Sequence, residues 1–366
     1  MKTAFLFVLL LAAAPVFGQG VVSPEVHPDG TVTFRFKASD TVKQVEVRSE
    51  AFPSVKMLEG EAGMWTYTSA PLEPDIYSYT FYVNGMQIID PGNPLLKYNL
   101  FSSSSQVHVP GPKTLPWEVN DVPHGVVHRH FYRSGIANEN RDYYVYTPPG
   151  YDAAAKKKYP VLYLLHGFTD DASAWSTVGC ANTILDNLIA AGKAKPMIVV
   201  MPIGYGTMDV LTAPRGSEAR TRNVEKFQDE LLKEIMPMVE KEYRISADRN
   251  SRAIAGLSMG GNEAFHVGLN ELDKFSSICG FSAGYDRMDF DLQFPRLDEN
   301  SNKQIKLLWV GCGEQDGLMK MNKRFEEWLT EKKVQHIWRS MPGQHSYRVW
   351  RRNLAEVVTL LFQEKK

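Results

Sequence analysis

RAIAGLSMGG, residues 252–261, joins an apolar run to a helical pattern through Gly-Leu-Ser-Met-Gly. The run that ends at Leu257 has the continuous apolarity of a strand buried on both faces. The stretch after it, MGGNEAFHVGLN, reads as a helix. A sharp turn between the two brings the backbone close to its neighbours, so Gly256 and Gly260 stand where a Cβ would clash. The same turn aims the Ser258 hydroxyl out of the sheet, at a helix N-terminus that favours developing negative charge. Five letters of this kind also occur by chance. Whether Ser258 is an activated nucleophile or a small residue in a crowded turn is decided by the rest of the chain.

Outward from this stretch, apolar strand-like runs alternate with helical patterns. The runs are YPVLYLLHG, KPMIVVMPIG, SRAIAGLS, FSSICGFSAG, IKLLWVGCG and VQHIWRSMPG, and GVVHRHFYRS with RDYYVYTPPG reads as an antiparallel pair before them. Between them, FQDELLKEIMPMVEKEY carries a helical apolar stripe with an interior Pro237 that predicts a kink. Such alternation implies a mostly parallel sheet covered by helices, an α/β fold, with functional groups in loops at the carboxyl ends of its strands.

A serine hydroxyl needs a base and an orienting acid. LLWVGCGEQDGL ends a strand at a loop holding Glu314 and Asp316, and MPGQHSYRVW ends the last strand with His345 before a final helix. Asp316 lies deeper in its loop than Glu314 and is the preferred acid; its alternative role is to cap the next helix. The order Ser258, Asp316, His345 is the one expected of a nucleophile-elbow hydrolase. The oxyanion hole would use the backbone N–H of Met259, just after the nucleophile, and that of Phe168, in the loop after YLLHG. His166 in that turn reads as structural, and so does His336. His128 and His130 alternate along one strand without an evident third ligand, so no metal and no cofactor is expected.

Two long loops, residues 204–223 and 284–300, should overhang the site. They bring Tyr205, Tyr285, Phe290 and Phe294 toward the nucleophile, and Trp175 follows the oxyanion loop. Trp175, Tyr205, Tyr285 and Phe290 are therefore substrate-binding candidates, although the same aromatics could equally pack the loops onto the sheet. An aromatic-lined pocket suits a flat phenolic acyl group, and a small one suits acetate. Arg215, Arg220 and Arg222 read as loop-fixing ion pairs.

The N-terminal part is different. Residues 1–19, with one Lys before an apolar run from Ala4 to Phe17, have the layout of a cleavable signal peptide, which implies a secreted or periplasmic protein. Residues 20–110 alternate apolar and polar at period two in several short segments, as a small β-sandwich does, with a hairpin at Asn84-Gly85. The Ser run at 102–105 and a Pro-rich stretch read as a linker, placed at 111–123, and the second domain follows over 124–366. A 366-residue chain exceeds what one core holds, in agreement with two domains. With 41 Lys+Arg against 42 Asp+Glu there is no basic excess for a nucleic-acid surface, and no later segment reads as a membrane span. Cys180, Cys279 and Cys312 read as free thiols, with a Cys279–Cys312 pair as the alternative. Oligomeric state is not legible.

LYLLHGFTDDASAW, IAGLSMGG, LLWVGCGEQD and PGQHSYRVWRRNL together resemble the esterase D-like group of α/β-hydrolases, especially carbohydrate esterase family 1, over residues 125–362. That resemblance implies an α/β-hydrolase fold and a serine carboxylesterase acting on feruloylated or acetylated xylan. Feruloyl esterase comes first and acetyl xylan esterase second; a siderophore esterase and a non-catalytic glycan-binding protein are further alternatives. The N-terminal part resembles the early-set, immunoglobulin-like modules related to carbohydrate-binding module family 48. That implies either glycan binding or packing beside the cleft, and the chain has no obvious row of exposed Trp.

Overall fold

The computed structural model describes residues 20–214 and 217–363. The segment read as a signal peptide and Arg215 lie outside these residues.

Strands β1 (Glu25–Val26), β2 (Val32–Lys37), β3 (Val45–Ser49), β4 (Phe52–Lys56) and β5 (Leu58–Glu59) open the first part. β6 (Met64–Thr68), β7 (Asp75–Val83), β8 (Met86–Ile88), β9 (Leu96–Lys97) and β10 (Ser104–Val109) complete it. One antiparallel sheet has the order β1-β2-β6-β5; the other runs β4-β3-β7-β10-β9, with β8 paired to β7. The period-two pattern of β7 turns Tyr77, Tyr79, Phe81 and Val83 inward, against Val32 and Phe34 of β2 and Val45 and Val47 of β3. Trp65 joins this core. Asn84 and Gly85 close the β7–β8 hairpin with φ of 48° and 85°, the positive values that a type I′ turn demands.

The polar run at 102–105 is not a linker throughout. Ser104 and Ser105 begin β10, and the buried Ser105 hydroxyl accepts the Asp90 N–H at 2.9 Å. A small side chain that accepts a buried N–H can occupy a strand interior, which composition does not reveal. The Pro-rich stretch after it is also pinned. Trp117 is buried, and Asn187 donates to the Pro116 and Glu118 carbonyls at 2.8 Å.

In the second part, β11 (Val126–Ser134) and β12 (Glu139–Thr147) form an antiparallel hairpin, and β12 pairs antiparallel with β14 (Ile198–Pro202). β13 (Val161–Leu165), β15 (Arg252–Leu257), β16 (Ser277–Phe281), β17 (Leu307–Gly313) and β18 (Ile337–Met341) then extend a parallel sheet in the order β11-β12-β14-β13-β15-β16-β17-β18. The helices are α1 (Ala174–Thr177), α2 (Ala181–Ala190), α3 (Glu218–Glu230), α4 (Met236–Glu242), α5 (Met259–Asn270), α6 (Phe290–Gln293), α7 (Met319–Glu331) and α8 (Tyr347–Leu360).

Every residue of β13, β14, β15 and β16 is buried, because successive side chains enter two separate cores. Val161, Tyr163 and Leu165 of β13 meet α3, α4, α5 and α7 on one face. Leu162 and Leu164 meet α2 and α8 on the other. Each fully buried Val or Leu is worth about 1.5–3 kcal/mol, so this central sheet holds the frame on which the loops stand. The predicted kink takes the form of a π-helical turn, Leu231–Ile235, immediately before Pro237. A proline lacks the N–H of the regular ladder, and the wider turn accommodates the gap. All three cysteines are free. No helix of the described residues is long and apolar enough to cross a membrane.

The two parts meet through charge. Asp75, fully buried at the start of β7, accepts hydrogen bonds from Arg348 (3.2 Å), Arg351 (3.2 Å) and Arg352 (2.8 Å) of α8. Arg351, itself fully buried, also donates to the carbonyls of Val178 and Ile76. One carboxylate from the first part thus anchors the last helix of the second.

Candidate active site

β15 enters its turn with Gly256, where an added Cβ would lie 2.2 Å from the Gly260 carbonyl oxygen. At Gly260 it would lie 2.4 Å from the His166 carbonyl oxygen. Backbone blocks both positions, as the motif implied. Ser258 sits at φ 52°, ψ −115°, outside the ordinary helical and extended regions, a strain that persists only where surroundings enforce it. Its N–H donates to Phe281 O, and its carbonyl accepts from Gly261, Asn262 and Gly284. These four bonds across α5, β16 and the following loop fix the turn.

His345 follows β18 and lies just ahead of α8. Its Nε2 is 3.0 Å from Ser258 Oγ and its Nδ1 is 2.8 Å from Asp316 Oδ2. The carboxylate accepts, so Nδ1 carries the proton and Nε2 offers its lone pair to the serine hydroxyl. The Trp350 ring stands edge-on to the imidazole, centroids 4.8 Å apart, and limits how far it can turn. Asp316 Oδ1 accepts the Leu318 N–H at 2.8 Å. Burial alone would raise the Asp316 pKa, but the hydrogen bonds from His345, Leu318 and Ser282 outweigh it and the carboxyl is held below its usual value. Glu314, the alternative acid, uses its backbone N–H on Met341 O.

The loop after β13 runs against Ser258: a Cβ on Gly167 would come within 3.4 Å of Ser258 Cβ. Neither Phe168 N–H nor Met259 N–H meets an acceptor among the described residues. Their side chains pack together with Tyr205 and Val210. His166 is buried; its Nδ1 donates to Gly167 O at 2.8 Å and its Nε2 accepts the Gly204 N–H at 2.9 Å. Burial pushes its pKa down, keeping the ring neutral and able to serve both bonds.

The aromatic substrate-binding candidates require correction. Trp175, Tyr205, Tyr285 and Phe290 are all buried. Trp175 donates to Leu165 O and Tyr205 to Asp170 O. Tyr285 stacks on Phe265, and Phe290 packs on Phe325 and Trp328, with Phe294 in the same cluster. The long loops need apolar anchors, and Tyr205, Tyr285, Phe290 and Phe294 are the anchors, while Trp175 packs α1 against the sheet. Of the loop arginines, Arg220 lies over the Phe168 ring at 4.5 Å and donates to Ala213 O, and Arg222 makes an exposed pair with Glu218.

Sequence reasoning missed Asp170, a buried acid in the loop after β13. Its Oδ2 accepts from Tyr347 and its Oδ1 from Asn99, a residue of the first part. The Asp-Asp pair in HGFTDD was the one local signal for Asp170; nothing local marks Asn99.

The residues 134–361 match the family model named Esterase. An endo-1,4-beta-xylanase/feruloyl esterase of Xylanibacter ruminicola is 29% identical over 364 residues, 95% of this chain. The chain spans 47% of the length of that relative. A ferulic acid esterase of Anaeromyces mucronatus, solved in complex with ferulic acid, is 25% identical, with a TM-score of 0.56 over 67% of this chain and 92% of that one. The enterobactin esterase of Shigella flexneri, at 19% identity, shares the fold of both parts, with a TM-score of 0.70 over 97% of this chain and 99% of that one. With most of its second part covered by the family model, the chain belongs to the Esterase family of carboxylic ester hydrolases.

Proposed function

We propose that this protein is a serine esterase that releases feruloyl groups from arabinoxylan through an acyl-enzyme. The observation that carries the reading is the relay from Ser258 through His345 to Asp316, at 3.0 Å and 2.8 Å. His345 Nε2 takes the hydroxyl proton as Ser258 Oγ attacks the ester carbonyl carbon. The oxyanion is met by the N–H groups of Phe168 and Met259, the latter at the N-terminus of α5. Collapse breaks the bond to the sugar oxygen, which takes the proton from His345. Water then repeats the cycle: His345 accepts its proton, the hydroxide attacks the acyl carbon, and Ser258 leaves with the proton restored. Asp316 holds the Nδ1 tautomer and offsets the charge on the imidazolium.

Support for a feruloyl ester comes from the relatives named as feruloyl and ferulic acid esterases. Residues 20–110 are read as an early-set, immunoglobulin-like module packed beside the cleft, and the protein as secreted. Acetylated xylan and a catecholate siderophore ester compete for the same triad. The test is release of ferulate from wheat arabinoxylan against release of acetate from acetylated xylan and hydrolysis of enterobactin. Faster ferulate release, abolished in Ser258→Ala, is expected. Faster acetate release or enterobactin hydrolysis would overturn the substrate, and a Ser258→Ala enzyme of near wild-type rate would overturn the mechanism.

A further inference from the structure

Thr169 has φ +70°, a left-handed backbone that a β-branched residue adopts only at a cost of about 1–3 kcal/mol. It directly follows Phe168, whose N–H is read above as half of the oxyanion hole. Something must hold this residue in place, and much of the grip comes from the first part of the chain. Asn99 Nδ2 donates to Thr169 Oγ1 at 2.8 Å and to Asp170 Oδ1 at 3.0 Å. The next residue, Leu100, donates its N–H to Thr169 O at 2.8 Å. Asn99 is itself fixed, because its Oδ1 accepts from the N–H groups of Phe101 and Ser102. Phe101, exposed on its outer side, meets the Phe168 ring edge-on at 6.2 Å.

The second part supplies the remaining holds. Tyr205 donates to Asp170 O, Tyr347 donates to Asp170 Oδ2, and Asp170 N–H closes a turn on Gly167 O. These bonds grip Asp170. At Thr169 itself, the side-chain oxygen and the carbonyl are both taken by Asn99 and Leu100 of the first part.

We propose that Asn99 is a positioning residue of the oxyanion hole: by clamping the strained Thr169 it sets the direction of the Phe168 N–H. The first part is then a component of the catalytic apparatus rather than an appendage. This rests on the reading of Ser258 as nucleophile. A donor displaced from the oxyanion weakens the transition state more than the substrate complex, so the loss falls on kcat.

The test uses the full chain with p-nitrophenyl acetate, rates being normalised to folded enzyme. Asn99→Asp keeps the acceptor that fixes its own turn and removes both donated hydrogen bonds. Thr169→Val removes the hydroxyl and Thr169→Ser keeps it. The expectation for Asn99→Asp and Thr169→Val is a kcat loss of roughly 10- to 100-fold with KM changed less than about threefold. Affinity for a trifluoromethyl ketone transition-state analogue should fall in parallel, and Thr169→Ser should stay within about twofold of wild type. An Asn99→Asp enzyme with wild-type kcat, or a loss in Thr169→Val that Thr169→Ser shares, would overturn the proposal. Ser258→Ala, run beside them, separates the two levels: if it is inactive while Asn99→Asp is normal, only the positioning role fails, and if it is active, the site reading fails first.

Discussion

Tyr347 donates its hydroxyl to Asp170 Oδ2 at 2.9 Å, both groups buried. Tyr347 is two residues past His345 and Asp170 two past Phe168, so one hydrogen bond ties the segment that carries His345 to the loop that carries Phe168. Ser258 stands between them. The site is a closed loop of contacts rather than a row of side chains.

Asp316→Asn tests the orienting acid. The amide can keep the Leu318 N–H on its oxygen, which turns its NH2 toward His345. The imidazole then has to accept at Nδ1 and present Nε2–H to Ser258, the wrong tautomer for a base. A kcat loss of about 10⁴-fold is expected, with KM and thermal stability little changed. Steady-state kinetics beside a melting curve checks it; a loss below about tenfold would move the acid elsewhere.

Asp75→Ala tests the joint between the two parts. It leaves the Arg351 guanidinium fully buried without a carboxylate. Removing one partner of a buried pair costs about 3–5 kcal/mol, because the stranded charge is what destabilises. Urea unfolding should show that loss, and the Asp75→Leu/Arg351→Met double variant should recover much of it. An unchanged midpoint in Asp75→Ala would show that Arg348, Arg351 and Arg352 do not depend on this acid.

Glu263, on α5 five residues beyond Ser258, gives a pH signature. Burial pushes its carboxyl well above the usual range and the negative Asp286 adds to this, while the hydrogen bond from Asn223 opposes both. The folded protein therefore binds this proton more tightly than the unfolded chain, where Glu titrates at about 4.3. The stabilisation is complete below that value and is lost as pH rises through the raised folded value. Glu263→Gln cannot ionise and still accepts from Asn223. It should melt higher than wild type at pH 8, by a margin that shrinks at pH 5; equal melting at both values would contradict the sign.

That Ser258, Asp316 and His345 come together was legible because each follows a strand whose apolar run is visible, and because Gly256 and Gly260 mark the turn. The parallel sheet was legible for the same reason, as β13 through β17 carry long apolar runs. Trp175, Tyr205, Tyr285 and Phe290 were not separable from a binding pocket, since a buried anchor and a pocket wall have the same composition. Ser104 and Ser105 looked like linker because what holds them, the Asp90 N–H on the Ser105 hydroxyl and the β9 strand beside Ser104, is not shown by the local pattern. Asn99 lies 70 residues before Thr169 and Asp75 lies 273 before Arg348. No periodicity spans such distances.

The span from Asp75 to Arg352 also sets an order of events during synthesis. The two are 277 residues apart, and at a ribosomal pace of 5–20 residues per second the acid emerges roughly 15–55 seconds before the last of its arginines. For that interval the nascent first part carries a carboxylate whose arginine partners do not yet exist, on a surface that α8 has not covered. The first part is translated first and finished last.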